Sequence, residues 1–156
     1  MPPQPAPPGV SETGGRVPLY TPDILALAAG LAAYPLTGDF AATASARSRT
    51  CGSLIEVGLD RDPAGTISRA GMPVTACAIG QSSAAIMAQG LAGRRAAEIA
   101  AMETAIAAWL AGEGALPDWP QFDLLAPALP HKGRHGALLL PWTAAARALF
   151  STGTSG

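Results

Sequence analysis

Three residues of this chain could ligate a metal ion, and each stands where the sequence pattern changes. Cys51 and Cys77 are its only two cysteines, and His135 directly precedes the last helical pattern. Thiolate sulfur and imidazole nitrogen are ligands for soft and borderline metal ions such as zinc. The same pair could supply a nucleophile and its general base. Either chemistry needs a fold that brings the three side chains together.

Taken alone, each of these residues has a simpler structural explanation. Free cysteine is among the most often buried residue types, and a lone histidine before a helix is commonly a surface or capping residue. Cys77 carries a second signal, because it opens a helical pattern whose unpaired N–H groups and positive dipole end favour the thiolate. His131 makes an HxxxH spacing with His135, but Pro130 and Gly133 argue against a helix there, so this zinc pattern is weak.

The composition limits the classes of function. Charged residues make up 13% of the 156 residues, hydrophobic residues 49%, and the formal net charge is −1. No basic face is visible, so no nucleic-acid partner is expected. The longest apolar run, residues 24–34, is shorter than the about 20 residues that cross a hydrocarbon core, so no membrane association is expected. Two cysteines without a signal-like start predict a cytoplasmic protein.

Composition also divides the chain. Residues 1–17 are rich in proline and glycine, which predicts a disordered N-terminal tail. A single domain is expected over residues 18–150, followed by a flexible C-terminal tail over residues 151–156.

Periodicity predicts the elements of that domain. Thr21 is a suitable N-cap, Pro22 suits the first helical position, and Asp23 gives an acidic first turn. Together they predict a helix that begins here and ends before Pro35. Alternation over residues 42–60 predicts strands on both sides of Cys51, and residues 66–75 add a short strand or two.

The second half of the chain is predicted to be mostly helical. Helical patterns cover residues 78–93, 94–111 and 135–150, and four prolines keep residues 113–134 mostly irregular, with a single turn near residues 122–125. Pro141 would be the first helical residue if the last helix proper begins later than His135. The expected fold class is α+β, with a small three-stranded antiparallel sheet packed against about four to five helices.

The motifs, in this order, resemble those of the NifU-like, or IscU-type, iron-sulfur cluster assembly scaffolds. The matching segments are Cys51-Gly52 at a bend, Cys77 before a glycine- and serine-containing helix start, and the stretch from Leu129 to His135. The resemblance extends over residues 19–149 and implies a SufE/NifU-like fold. It also implies that Cys51, Cys77 and His135 bind the metal or cluster.

The chain departs from the family pattern at two positions. The family has aspartate after Cys-Gly and a third cysteine after the histidine, where this chain has Ser53 and Gly136. It therefore resembles a variant lacking the third cysteine. The segment at residues 129–132 keeps only part of the motif that a specialised Hsp70-type chaperone reads, so recognition by that chaperone stays open.

The resemblance implies a scaffold or carrier that is not an enzyme. It would bind iron, zinc or a labile [2Fe-2S] cluster, and its partners would be a cysteine desulfurase and recipient apo-proteins. Such a cluster normally takes four ligands, and the fourth could come from a second chain, a small thiol or Asp39.

Other functions stay open. Two cysteines, one histidine and a water suit zinc, so one alternative is a SufU-like zinc-dependent sulfur acceptor. Another is a cluster-incompetent regulatory relative. A Cys-His hydrolase is the least supported, because no oxyanion-hole motif or orienting third group can be named.

Overall fold

The computed structural model describes residues 19–36, 38–49 and 52–151. The predicted tails, residues 1–17 and 151–156, lie outside this part of the chain, apart from the helical residue Ser151. The α-helices are α1 (Pro22–Gly30), α2 (Ala78–Gly90), α3 (Ala96–Leu110) and α4 (His135–Ser151), and the strands are β1 (Ala42–Arg47), β2 (Leu54–Arg61), β3 (Ile67–Gly71) and β4 (Val74–Thr75). Short 3₁₀ helices cover Leu31–Ala33, Phe122–Ala128 and Lys132–Arg134.

The strands form one antiparallel sheet in the order β1-β2-β3, and β4 also pairs with β2. The predicted α+β class is confirmed, and the two-residue β4 adds a fourth strand to the three main ones. Ile55, Val57 and Leu59 of β2 are fully buried and alternate with residues of the other face. This period-two pattern places one face of the sheet in the core.

The other face of the sheet is covered by the segment between the first 3₁₀ helix and β1. A Cβ at Gly58 would lie only 2.6 Å from atoms of Leu36 and Phe40, so glycine allows this segment to pack directly on β2. The Arg69 guanidinium stacks on the Phe40 ring at 3.9 Å and pairs with Asp60 at 2.7 Å. These contacts fix the covering segment on the sheet.

Helix α2 is the centre of the helical layer. Residues 82–88 are all buried, so two full turns of α2 are covered on every side. Two buried serines of α2 form hydrogen bonds to neighbouring helices. Ser82 donates to the Ile24 carbonyl at 2.7 Å, and Ser83 donates to the Leu138 carbonyl at 2.6 Å. Small side chains in this stretch let α1 and α4 pack closely on α2.

Helix α4 begins at His135 and continues through Pro141, so Pro141 is not its first residue. Proline has no N–H, and the helical bond to the carbonyl four residues earlier is therefore missing. Pro141 is buried, and the Leu138 carbonyl nearby accepts the Ser83 hydroxyl. Packing against α2 stabilises a helix that local propensity would interrupt.

The segment before α4 is more regular than predicted. The single turn expected near residues 122–125 is a 3₁₀ helix over Phe122–Ala128. Phe122 is fully buried, and its ring makes edge contacts with Trp109 and Trp142 at centroid distances of 5.6 and 6.1 Å. This aromatic cluster fixes the path of the chain towards α4. Among the described helices, none has the length and apolarity needed to cross a membrane.

Candidate functional site

Cys77 is the N-cap residue of α2, as the sequence predicts. Its backbone is extended, with φ −67° and ψ 170°, and its side chain makes no capping hydrogen bond with any described residue. The thiol is free and half-buried. It therefore lies at the positive end of the α2 dipole, beside N–H groups that have no partner within the helix.

An open groove of about 340 Å³ contains this cysteine. Three chain segments meet there: the turn between β1 and β2, the end of β4, and the 3₁₀ helix before α4. The lining residues are Gly52, Ser53, Thr75, Ala76, Cys77 and Arg134. These segments carry the three motifs singled out in the sequence, and the fold brings them to one place.

Cys51 lies outside the described residues, which end at Arg49 and begin again at Gly52. Gly52 has φ +70°, a conformation that favours glycine. Its N–H donates to the Ser48 carbonyl at 3.2 Å, and the Ser48 N–H donates to the Ser53 carbonyl at 2.9 Å. These bonds hold the end of β1 and the start of β2 together at the edge of the groove.

His135 is held by a backbone carbonyl. Its Nε2 atom lies 2.7 Å from the carbonyl oxygen of Leu129, and the ring is half-buried at the start of α4. A carbonyl oxygen only accepts, so Nε2 carries the proton and donates it. In a neutral ring the lone pair is then on Nδ1, which is the atom left to ligate a metal. His135 itself does not line the groove, but its neighbour Arg134 does.

Arg134 lines the groove, although no sequence motif predicts a role for it. Its Nε donates to the Tyr20 hydroxyl at 3.1 Å, and the side chain is half-buried. The residue brings a positive charge to the groove that contains Cys77. Its position directly before the motif histidine was the only signal in the sequence.

A complete metal site is not formed by the described residues. No group of three or more histidine, cysteine, aspartate or glutamate side chains among them is placed to hold a metal ion. Because Cys51 lies outside the described residues, this result does not test the triad of Cys51, Cys77 and His135. Asp39, considered as a fourth ligand, lies on the segment covering the sheet, and its carbonyl accepts a hydrogen bond from Arg69.

The lowered carboxyl pKa values belong to the β2–β3 hairpin and its neighbours. The Ala41 N–H holds the pKa of Asp60 below its usual value, and Arg69 adds to this effect. The Thr66 hydroxyl and N–H, at 2.6 and 3.0 Å, lower the pKa of Asp62. Neither carboxylate lines the Cys77 groove, so these shifts report on the hairpin.

The structure is similar to the N-terminal domain of a nitrogen-fixing NifU-like protein from Brucella abortus, with a TM-score of 0.79 and 28% sequence identity. The match covers 88% of this chain and 96% of that chain. The chain has a NifU-like fold. The resemblance to the NifU-like, IscU-type family stated from the motifs is thereby confirmed.

A second similar structure comes from Fervidobacterium islandicum AW-1 and is described as a candidate iron-sulfur cluster assembly scaffold for the SUF system. Its TM-score is 0.69 over 84% of this chain and 96% of that chain, and at 18% identity it supports the NifU-like fold alone. No protein-family model matches the sequence, and no curated protein matches it significantly.

Proposed function

We propose that this NifU-like chain is a scaffold or carrier in iron-sulfur cluster assembly. In this proposal residues 18–150 form the scaffold domain, and Cys51, Cys77 and His135 bind iron or a labile [2Fe-2S] cluster. The observation that carries the proposal is the groove in which the three motif segments meet, within a fold shared with a NifU-like domain. The chain would hold and transfer its cargo without being an enzyme.

The electrostatics of the groove suit an anionic sulfur ligand. Cys77 lies at the positive end of α2, and Arg134 lines the same groove. Both place positive charge in the groove, and cluster sulfurs are stabilised by nearby positive charge and hydrogen-bond donors. Because the groove is open to solvent, a cluster bound there could be loaded and released.

The proposed ligand set has three members and lacks the third cysteine of the family. His135 would contribute Nδ1, since its Nε2 atom donates to the Leu129 carbonyl. Gly136 and Ser53 stand where the family has its third cysteine and its aspartate, so neither supplies the usual ligand. The fourth ligand would come from a second chain or a small thiol, which suits a cluster that is held weakly and passed on.

Anaerobic reconstitution with ferrous iron and sulfide tests this proposal. We expect the wild type to develop charge-transfer absorption and a Mössbauer doublet, and the Cys51→Ser and Cys77→Ser variants to lose both. His135→Ala should weaken the signals, while His131→Ala is the matched control, because His131 is also half-buried and lies four residues earlier. No cluster in the wild type, or an unchanged cluster in the double cysteine variant, would contradict the proposal.

The proposed partners are a cysteine desulfurase and recipient apo-proteins, and the proposed compartment is the cytoplasm. Sulfur transfer would be a thiol exchange: the Cys77 thiolate attacks the outer sulfur of the desulfurase persulfide. A new S–S bond forms on Cys77, and the desulfurase cysteine leaves as a thiolate. Transfer of labelled sulfur from desulfurase to the wild type but not to Cys77→Ser would support this step.

A SufU-like, zinc-dependent sulfur acceptor is the second candidate. The histidine geometry favours it, because an oriented Nδ1 together with two thiolates and a water makes an open zinc site. Elemental analysis of aerobically purified protein separates the two functions. One tightly bound zinc per chain, with no cluster after reconstitution, would favour the zinc acceptor.

A further inference from the structure

A second groove of about 320 Å³ lies between the end of β1 and helix α4, beside the candidate site. Its rim and floor contain Arg47, Arg49, Arg147, Ala46, Leu139 and Leu140. The three arginines are exposed, whereas the alanine and Leu140 are buried. The groove therefore combines cationic edges with an apolar floor.

The charge in this groove is local. The whole chain carries ten basic residues and a net charge of −1, yet three of these basic residues line this one groove. No described residue that lines it is acidic. Arg147 also donates to the Ser45 carbonyl at 3.2 Å, which holds its guanidinium beside β1. An occupant of the groove should therefore carry negative charge.

The length of the groove indicates an extended occupant. Its α4 wall runs from Gly136 to Arg147, which corresponds to about 16 Å along a helix axis. An extended peptide covers that distance with about five residues. A small anion would meet only one end of the wall and would leave the apolar floor uncovered. Alternating acidic and apolar side chains fit both the rim and the floor.

We infer that this groove binds an acidic, partly apolar segment of a partner protein. Arginine side chains bind carboxylates through paired hydrogen bonds, and the leucines of the floor would contact apolar side chains. The groove adjoins the candidate site, because Ser48 lines it and shares backbone hydrogen bonds with Gly52 and Ser53, which line the Cys77 groove. A partner anchored here would be positioned at the Cys77 groove. The inference does not depend on which metal or cluster the chain binds.

Peptide binding to the full chain tests the inference. The probe is a fluorescein-labelled peptide of six alternating glutamate and leucine residues, followed by fluorescence anisotropy at low and at physiological salt. We expect the wild type to bind it, with binding weakened by salt. Arg47→Gln with Arg49→Gln should weaken binding about five- to tenfold. Arg147→Gln, made alone because of its bond to Ser45, should also weaken it.

The matched control carries the same loss of charge elsewhere. Arg94→Gln with Arg95→Gln removes two adjacent arginines near α3, and it should leave peptide binding unchanged. Equal weakening in both double variants would show non-specific charge attraction and overturn the inference. Equal binding of a peptide with glutamine in place of glutamate would also overturn it.

Two competitors distinguish other occupants. If inorganic phosphate or a single-stranded oligonucleotide displaces the peptide at lower concentration than the unlabelled peptide does, the groove is not a site for acidic peptides. Thermal unfolding and cluster reconstitution of the arginine variants complete the test. Cys51, Cys77 and His135 are intact in them, so failure of peptide binding and failure of the proposed function are separate results.

Discussion

The N-terminal end of helix α2 and its interior differ in almost every physical respect. At the N-terminal end, the Cys77 side chain is half-buried in an open groove. In the interior, Ser82 and Ser83 are fully buried and bonded to carbonyls of α1 and α4. The proposed reactive group is thus carried by a helix whose stability comes from contacts elsewhere. Substitutions at the two places should therefore have different effects.

The interior is also the place where aromatic packing and hydrogen bonds coincide. The Trp142 Nε1 atom donates to the Ser83 hydroxyl at 2.9 Å, and its ring makes an edge contact with Trp119 at 4.9 Å. Every buried side-chain nitrogen or oxygen of the described residues has a partner. Removing one partner there leaves another buried polar group unsatisfied.

The largest effect is expected for Trp142→Ala. This change removes a fully buried indole between α2 and the aromatic cluster, and should lower the free energy of unfolding by about 3–5 kcal/mol. Urea unfolding followed by circular dichroism measures it. Trp142→Phe keeps an aromatic ring but loses the bond to Ser83, so its loss should be smaller. A loss below about 1 kcal/mol in the alanine variant would contradict the assigned role of this interior.

A smaller loss is expected for Ser83→Ala. Its hydroxyl accepts a hydrogen bond from Trp142 and donates one to the Leu138 carbonyl. The change leaves the buried Trp142 N–H and the Leu138 carbonyl without this partner, and should lower the free energy of unfolding by about 1–3 kcal/mol. Ser82→Ala is the matched control in the same helix, and it removes only the bond to the Ile24 carbonyl. Equal losses of unfolding free energy in the two variants would show that the Trp142 bond contributes nothing.

Cys77→Ser should change stability least among the α2 variants, by less than about 1 kcal/mol, since it alters a half-buried side chain without a capping bond. Its effect on metal or cluster binding should be large. Urea unfolding and reconstitution of the same preparation measure both quantities. A large loss of stability with unchanged cluster binding would show that Cys77 is a packing residue. The N-terminal end of α2 would then not differ from its interior.

The smallest effect concerns the acid stability of the turn between β2 and β3, which lies outside α2. The pKa of Asp62 is lowered by the Thr66 hydroxyl and N–H. A carboxyl whose folded pKa is below its unfolded value stabilises the fold above the unfolded pKa, about 4, and this contribution disappears as pH falls through the folded pKa. Asp62→Asn should therefore be less stable than the wild type at neutral pH, and the difference should shrink below about pH 4.

Thr66→Val tests the cause of that shift. It removes the hydroxyl donor but keeps the backbone N–H, so the acid-dependent difference should be intermediate between the wild type and Asp62→Asn. Urea unfolding at several pH values measures all three proteins. Parallel pH profiles for the wild type and Asp62→Asn would show that this turn contributes no acid-linked stability.

The sequence determined the features that depend on local signals. Thr21 and Pro22 begin α1 as predicted, and Cys77 directly precedes α2. Period two placed strands at β1 and β2, and the order of the motifs led to the NifU-like resemblance. Capping, proline position and periodicity act within one or two turns or along one strand, so they can be read from neighbouring residues. The ligand triad remains a prediction, since Cys51 lies outside the described residues.

Only the tertiary structure decided what depends on residues distant in the chain. Packing between elements decides three features: the complete burial of residues 82–88 in α2, the pairing of β4 with β2, and the continuity of α4 through Pro141. The same is true of Arg134 in the Cys77 groove and of the arginines gathered beside α4. These residues come together through contacts between elements far apart in the chain, and such contacts leave no periodic signal in the sequence.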